Sequence, residues 1–427
     1  MTLRKILVVA LLGVVALVGP GLLPARLGGT YPSGDRPVPD TVAALALFQS
    51  RVERDANAIN LTVLAQLYAR RSRETGNVEE LASAETAVRA ALAQKPNYGP
   101  AVLTLASVLT GQHRFDEALT TAHRAQQLDP RLGALGLVGD VLVATGDYEG
   151  AREAYSHLAG TPGSPGLAAR MAHLYELEGD LEKAIRQTER AAAAGLDQGA
   201  VGEEAAWFQV RLGDLNFTVG KLGESDRRYG AALELLPGYW PALAGRGKVS
   251  TARGDFDRAV QFYELAAAVV PRPEVMVALG DIYSINGELR RARDSYATVE
   301  IISQLSPGVY DRNLALYEAD HGDPEAALAL AESGLEERRD VYGYDTLAWA
   351  FYRLARYGDA RRAMDRALSL GTRDPQLLFH SGAIWLALGD NRSAITDLEA
   401  ALELNPHFHP RYAEEAREML ALARSFD

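Results

Sequence analysis

Residues 386–406, "LALGDNRSAITDLEAALELNP", decide how this chain is read. Within them Gly389-Asp390 is followed by a short polar run and then Ala394. The arrangement returns as Gly146-Asp147 before Ala151, Gly179-Asp180 before Ala184, Gly254-Asp255 before Ala259, and Gly322-Asp323 before Ala327. Phosphate loops, metal loops and structural turns all use such glycine–acid pairs. The flanks settle the choice, because apolar residues recur at helical spacing on both sides. Glycine ends a helix cheaply in the left-handed conformation. Aspartate caps the next helix, accepting from its free amides and complementing its dipole. Asp323-Pro324 fits best, since proline suits the first helical position. The dipeptide therefore reads as the hinge of a helix pair.

The pairs recur. In residues 241–271, "PALAGRGKVSTARGDFDRAVQFYELAAAVVP", Leu243, Gly247 and Ser250 share one face of a first helix. Gly254 stops it, Asp255 starts the second, and Ala259, Phe262, Tyr263 and Ala266 form the inner face. Pro271 blocks continuation. Gly254 to Gly287 is 33 residues, and so is Gly146 to Gly179. A period of this size indicates stacked two-helix units.

With these residues in view, the chain resembles the tetratricopeptide repeat family, whose repeat is a degenerate helix-turn-helix of about 34 residues. The family's small, aromatic and closing positions map onto Gly382, Trp385, Ala394, Ala401 and Pro406 in the last repeat. They map onto Gly139, Ala151 and Tyr155, then Tyr175, Ala184 and Ala191, in two earlier ones. Gly213, Tyr229, Ala232 and Pro237 mark another, and Gly247, Ala259, Gly280, Ala292 and Tyr296 two more. The resemblance implies an all-α right-handed solenoid of about ten units, opening near Asn57, Asn97, Arg131, Gly166, Ala200, Gly238, Arg272, Pro307, Val341 and Asp374. Residues 410–426 are expected to cap its end, and residues 41–55 its beginning. The first unit departs from the family with a longer internal turn, "RRSRETGNVEE", and the fifth carries Ser225 where alanine is usual.

Ahead of the repeats lies an address. Arg4 and Lys5 precede the apolar run of residues 6–18, the pattern of a secretory signal. Counted to Leu23 the run approaches the length of a membrane span. Residues 1–25 are thus expected to be a signal peptide or membrane anchor, residues 26–40 a Gly/Pro linker, and residues 41–427 the solenoid. The protein is expected to be exported: periplasmic, at the cell surface or secreted, or anchored by residues 6–23. The scarcity of Lys beside Arg, with abundant Ala and Gly, suggests a bacterial source.

Composition removes several functions. Cysteine is absent, so disulfides, thiolate zinc sites and cysteine nucleophiles are excluded. A formal net charge of -12 argues against nucleic acid as a partner. "GRGKVS", residues 245–250, lacks the first glycine of a phosphate loop and lies in a helix. "GALGLVGD", residues 133–140, has the wrong glycine spacing for a dinucleotide loop. His407 and His409 lack a ligand cluster and read as a polar turn. Neither metal nor cofactor is expected, and no enzymatic site.

The remaining functional surface is the concave one. The resemblance assigns it to first-helix positions, which here are Tyr342, Asp345, Trp349, Tyr352 and Arg353 in the ninth unit and Trp207, Val210, Asp214 and Phe217 in the fifth. Asp140, Glu176, Asp214 and Asp281 add negative charge, interrupted by Lys248 and Arg312, which leans toward a basic or polar peptide. The Lys/Asn clamp of co-chaperone members is missing from the matching positions. The expected function is a non-enzymatic scaffold that binds a protein or peptide in its groove. Its alternatives are an accessory subunit of an envelope-assembly or export complex, and a hydrolase or transferase with an unrecognised site.

Overall fold

The computed structural model describes residues 41–426 except 131–132, 159–163 and 306–307. The expected leader and linker, residues 1–40, lie outside the described residues. Within them the chain forms 22 α-helices. A leading helix, α1 (Thr41–Arg54), precedes ten pairs. These are α2 (Ala58–Thr75) with α3 (Glu79–Gln94), α4 (Gly99–Gly111) with α5 (Phe115–Leu128), and α6 (Ala134–Ala144) with α7 (Tyr148–Ser156). Next come α8 (Pro165–Leu177) with α9 (Leu181–Asp197), α10 (Glu203–Thr218) with α11 (Leu222–Leu235), and α12 (Trp240–Ala252) with α13 (Phe256–Val269). Then follow α14 (Pro273–Ile285) with α15 (Leu289–Leu305) and α16 (Asp311–His321) with α17 (Pro324–Glu337). The array closes with α18 (Val341–Arg353) and α19 (Tyr357–Ala367), α20 (Pro375–Ala387) and α21 (Asn391–Leu404), and the capping helix α22 (Tyr412–Phe426). Every first helix starts within four residues of its expected unit boundary. The long turn expected in the first unit is absorbed differently: α2 runs on to Thr75 and only Gly76–Val78 turn.

The hinges behave as their residues dictate. Gly146, Gly179, Gly254 and Gly389 sit at φ of 83°, 76°, 74° and 82°. The following aspartates accept from backbone N–H groups of Gly150, Lys183, Arg258 and Ser393. Gly322 is different, at φ -121°, because the hinge of that pair is shorter and Pro324 starts α17 directly after the Asp323 cap. His113 and Ala355 hold the left-handed hinge position without glycine, at 59° and 58°.

Within each pair, small residues let the helices cross closely. Ala151, Ala184, Ala191, Ala259, Ala394 and Ala401 are wholly buried, and Ala292 nearly so. Opposite Gly139, Gly213, Gly247 and Gly280 lies a tyrosine sixteen residues on: Tyr155, Tyr229, Tyr263 and Tyr296. A Cβ on Gly247 would stand only 2.9 Å from the Tyr263 ring. Leu398 takes the ring's place against Gly382. In three pairs the lock has a polar end: Tyr155, Tyr229 and Tyr296 donate to Asp140, Asp214 and Asp281 at 2.9, 2.7 and 2.7 Å. Ser225 is fully buried and donates to the Gly213 carbonyl at 2.8 Å, which accounts for a hydroxyl where the family prefers alanine. Tyr175 is half-buried, with the Lys183 ammonium 5.3 Å from its ring centre.

Each second helix packs on its own first helix and, α15 excepted, closely on the next one, and along most of the array first helices also meet each other. The first helices therefore form the inner wall of a curved stack. The curvature brings the chain back upon itself. The backbone N–H of Val341 donates to the Tyr148 hydroxyl at 3.0 Å, Thr372 Oγ1 to the Leu177 carbonyl at 2.5 Å, and Asn405 Nδ2 to the Phe217 carbonyl at 2.7 Å. Hinges of the third, fourth and fifth pairs thus rest on the junctions that follow the eighth, ninth and tenth. Gly76, the first hinge, meets Val270 and Trp240 in the same way. These contacts form a seam between successive turns of the coil. A Cβ on Gly179 would collide with the Gly371 carbonyl, whereas one on Gly254 meets nothing within 4 Å.

That contrast isolates the seam. Gly254→Ala should cost only the left-handed penalty of about 1–2 kcal/mol. Gly179→Ala carries the same penalty plus the collision, and should lose roughly 1 kcal/mol more. Urea unfolding monitored by circular dichroism measures both.

Candidate functional site

Two adjoining cavities, of about 670 and 510 Å³, lie inside the coil. Trp207, Arg211, Arg272, Glu274 and Asn313 border both. Their walls come chiefly from first helices, which form the inner side of the stack.

The acidic wall residues expected from sequence are present, but they are already engaged. Asp140 and Arg170 form a nearly buried ion pair at 2.7 Å, and Arg170 Nε also reaches Asp140 Oδ1 at 2.8 Å. Glu176 accepts from Arg211 at 2.5 Å and lies 3.0 Å from His173 Nδ1. Asp214 receives the Tyr229 hydroxyl and stands 3.4 Å from Arg211. Asp281 receives Tyr296 and lies 3.1 Å from His321 Nε2. Glu274 takes Arg272 at 2.5 Å and Asn313 at 2.8 Å. Asp340 takes Arg338 at 2.6 Å and caps α18 through the Gly343 N–H. Burial acts against the Glu176 carboxylate, but the Arg211 guanidinium and His173 outweigh it and hold its pKa at about 2. At Asp214 burial wins and the pKa is raised despite Arg211 and Lys248.

The eight expected groove residues divide. Trp207 and Tyr342 are half-buried and border the cavities, as does Asp214. Phe217 is buried, and the Lys248 ammonium lies 4.2 Å from its ring centre. Trp349, 1% exposed, stacks on His380 at 4.1 Å and on Tyr352 at 4.7 Å, and its Nε1 donates to Asp320 at 2.9 Å. Asp345 is also buried and lies 2.8 Å from His380 Nδ1. The structure thus sets Trp349 and Asp345 inside the packing between the ninth and tenth pairs. Tyr352 remains half-buried and Arg353 exposed, 3.7 Å from Asp320. His409 caps α22, its Nδ1 accepting from the Arg411 and Tyr412 N–H groups, while its ring stacks on Tyr412 at 4.2 Å. Among the described residues no group of three or more His, Asp or Glu has the arrangement of a metal site.

Several wall residues had no motif to announce them. Arg272 lies between the rings of Trp240 and Tyr310, with its guanidinium 4.6 and 5.3 Å from their centres. Arg170 and Arg211 pair with acids on the preceding unit's first helix, 30 and 35 residues earlier. The usable signal was an arginine about one repeat beyond a wall carboxylate.

Paired helices stacked into a coil with a lined interior define an α-solenoid of the kind that displays an extended concave binding surface. A tetratricopeptide repeat-like domain model matches residues 42–164, and a tetratricopeptide repeat model matches residues 346–409. These two stretches are tetratricopeptide repeats, and the helix pairs between them follow the same pattern. Among solved structures it is similar to the Cut9–Hcn1 hetero-tetramer of the APC/C, at 16% identity and a TM-score of 0.34, covering 90% of this chain and 93% of that one. It is similar also to yeast Tom70, at 15% identity and 0.36, covering 90% and 92%. A tetratricopeptide repeat protein from Parabacteroides merdae matches at 19% identity and 0.35, covering 60% and 97%. No curated protein matches the chain.

Two outcomes follow from this geometry. Trp349→Ala should destabilise the fold by about 3–5 kcal/mol, the cost of emptying a buried aromatic site, while Tyr352→Ala should cost clearly less; thermal melting separates them. Glu176 has a depressed folded pKa, so its stabilisation is present above the ordinary 4.5 and disappears as pH falls from there towards about 2. Glu176→Gln should therefore flatten the acid limb of the stability profile across that window, as read by urea midpoints.

Proposed function

We propose that the protein is a non-enzymatic scaffold which binds an extended segment of a partner protein inside the coil. The observation that carries this reading is the pair of cavities joined through Trp207, Arg211, Arg272, Glu274 and Asn313. Tetratricopeptide repeat arrays as a class bind proteins or peptides, and aromatic and arginine side chains dominate binding hot spots. The wall offers both, held in place by ion pairs and by the Tyr–Asp locks, so little side-chain freedom is lost on binding. The mechanism is preorganised display rather than bond chemistry. Most wall carboxylates are committed to arginine, histidine, tyrosine, tryptophan or serine partners, which suits a rigid lining better than a proton-transfer site. The work would be done outside the cytoplasm, a reading that rests on Arg4, Lys5 and the apolar run of residues 6–18.

Affinity capture from native envelope with the full chain is the test. Trp207→Ala combined with Tyr342→Ala should reduce the captured partner by about tenfold or more while the helical circular dichroism is retained. Equal recovery by the variant and the parent would refute binding inside the coil. A phosphatase reporter fused after the repeats should be active only in the exported compartment; activity that requires deletion of residues 1–25 would refute export.

A further inference from the structure

We propose that the coil interior recognises acidic side chains on an extended partner segment, through Lys248 on α12 and Arg312 on α16. The inference rests on the scaffold reading and names the chemistry of its partner. Of the eleven acidic residues that border the cavities, nine already have a hydrogen-bonding or ionic partner. The other two, Glu336 and Glu337, are exposed at the end of α17, a second helix. The bordering arginines Arg73, Arg114, Arg170, Arg211, Arg272 and Arg338 are likewise paired with carboxylates.

Lys248 and Arg312 stand apart. Among the described residues neither has a carboxylate within ion-pair distance. Each instead lies over an aromatic ring, Lys248 at 4.2 Å from the centre of Phe217 and Arg312 at 5.3 Å from that of Tyr342. A ring face orients a cation without neutralising it, and leaves its remaining N–H donors for a ligand. The Trp207 indole N–H, which borders both cavities, also has no partner among the described residues. The unpaired charges on the first-helix wall are therefore cationic, and with the Trp207 N–H they favour a ligand that accepts hydrogen bonds and bears negative charge.

Lys248 borders one cavity and Arg312 the other. One terminal carboxylate would engage only one of them, so the occupant is a segment with acidic side chains at two points along its length. Asp214 and Asp374 act on Lys248 through space, and Asp340 on Arg312. All three are already held, Asp214 by Tyr229 and Arg211, Asp374 by the N–H groups of Gln376 and Leu377, and Asp340 by Arg338 and the Gly343 N–H. The net charge of -12 does not forbid an acidic ligand, because charges beyond roughly 8 Å are screened at physiological salt.

The test uses short peptides blocked at both ends, with Glu-Ser, Gln-Ser or Lys-Ser repeats, added to the full chain. Calorimetry and the fluorescence of Trp207 and Trp240 read binding. The Glu-Ser peptide should bind and weaken with salt. Lys248→Gln combined with Arg312→Gln, both exposed positions, should lower its affinity by at least about tenfold with unchanged circular dichroism. Glu336→Gln combined with Glu337→Gln should not lower it. Preferential binding of the Lys-Ser or Gln-Ser peptide overturns the acidic assignment and leaves the scaffold reading standing. So does binding that needs a free terminal carboxylate, or that survives in the Lys248/Arg312 variant. Failure of every peptide also overturns it, and the scaffold reading then stands or falls on envelope capture.

Discussion

Everything in this structure depends on how closely two helices can cross within a pair. At Gly139, Gly213, Gly247 and Gly280 the opposing tyrosine ring occupies the space a side chain would need. The backbone approach sets the tilt of the second helix, the tilt sets the rotation from one unit to the next, and the accumulated rotation curls the array until its turns touch. A larger residue at one crossing would change the rotation passed on to the units after it, because each unit is oriented chiefly by the one beside it. The tyrosines add direction to this steric rule. Three of them end in a hydrogen bond to the aspartate that follows the glycine, so each crossing is fixed in angle as well as distance.

The same aspartates explain why the inner wall is less acidic than its composition. Asp140, Asp214 and Asp281 are structural acceptors before they are surface charges. Their neighbours Arg170, Arg211 and His321 complete the arrangement, so the lining is a fabric of internal ion pairs and polar contacts. Such pairs contribute modestly to net stability, because desolvation offsets much of the attraction. The costly loss would be that of Asp140, which would leave the buried Arg170 guanidinium without a carboxylate.

The repeat architecture was legible because its determinants are local. A left-handed glycine, a capping aspartate and a small residue four positions on all lie within one hinge, and the caps at Asp147, Asp180, Asp255 and Asp390 form as their spacing implies. His113 and Ala355 hold the same hinge conformation with no glycine to announce it. The interior was legible only in part. Trp207 and Tyr342 border the cavities, as first-helix positions imply. Trp349 and Asp345 occupy equivalent positions, yet the tenth pair and the capping helix press on that stretch and His380 packs against both. Position in the repeat says which way a side chain points, while its exposure depends on neighbours that a one-dimensional pattern does not contain. The seam was illegible for the same reason, since Tyr148 and Val341 are 193 residues apart.

That seam alters the kind of object the array is. An open solenoid frays from its ends, since each unit is held only by those beside it. Here a hinge in the third pair leans on the junction after the eighth, and one in the fifth on the junction before the capping helix. Units far apart in the chain are joined laterally, so an end cannot peel away without breaking contacts to a distant pair. The array acquires a minimum length, because a shorter one would have no second turn to rest on. Its cooperativity becomes that of a globule, built from parts that individually know only their neighbours.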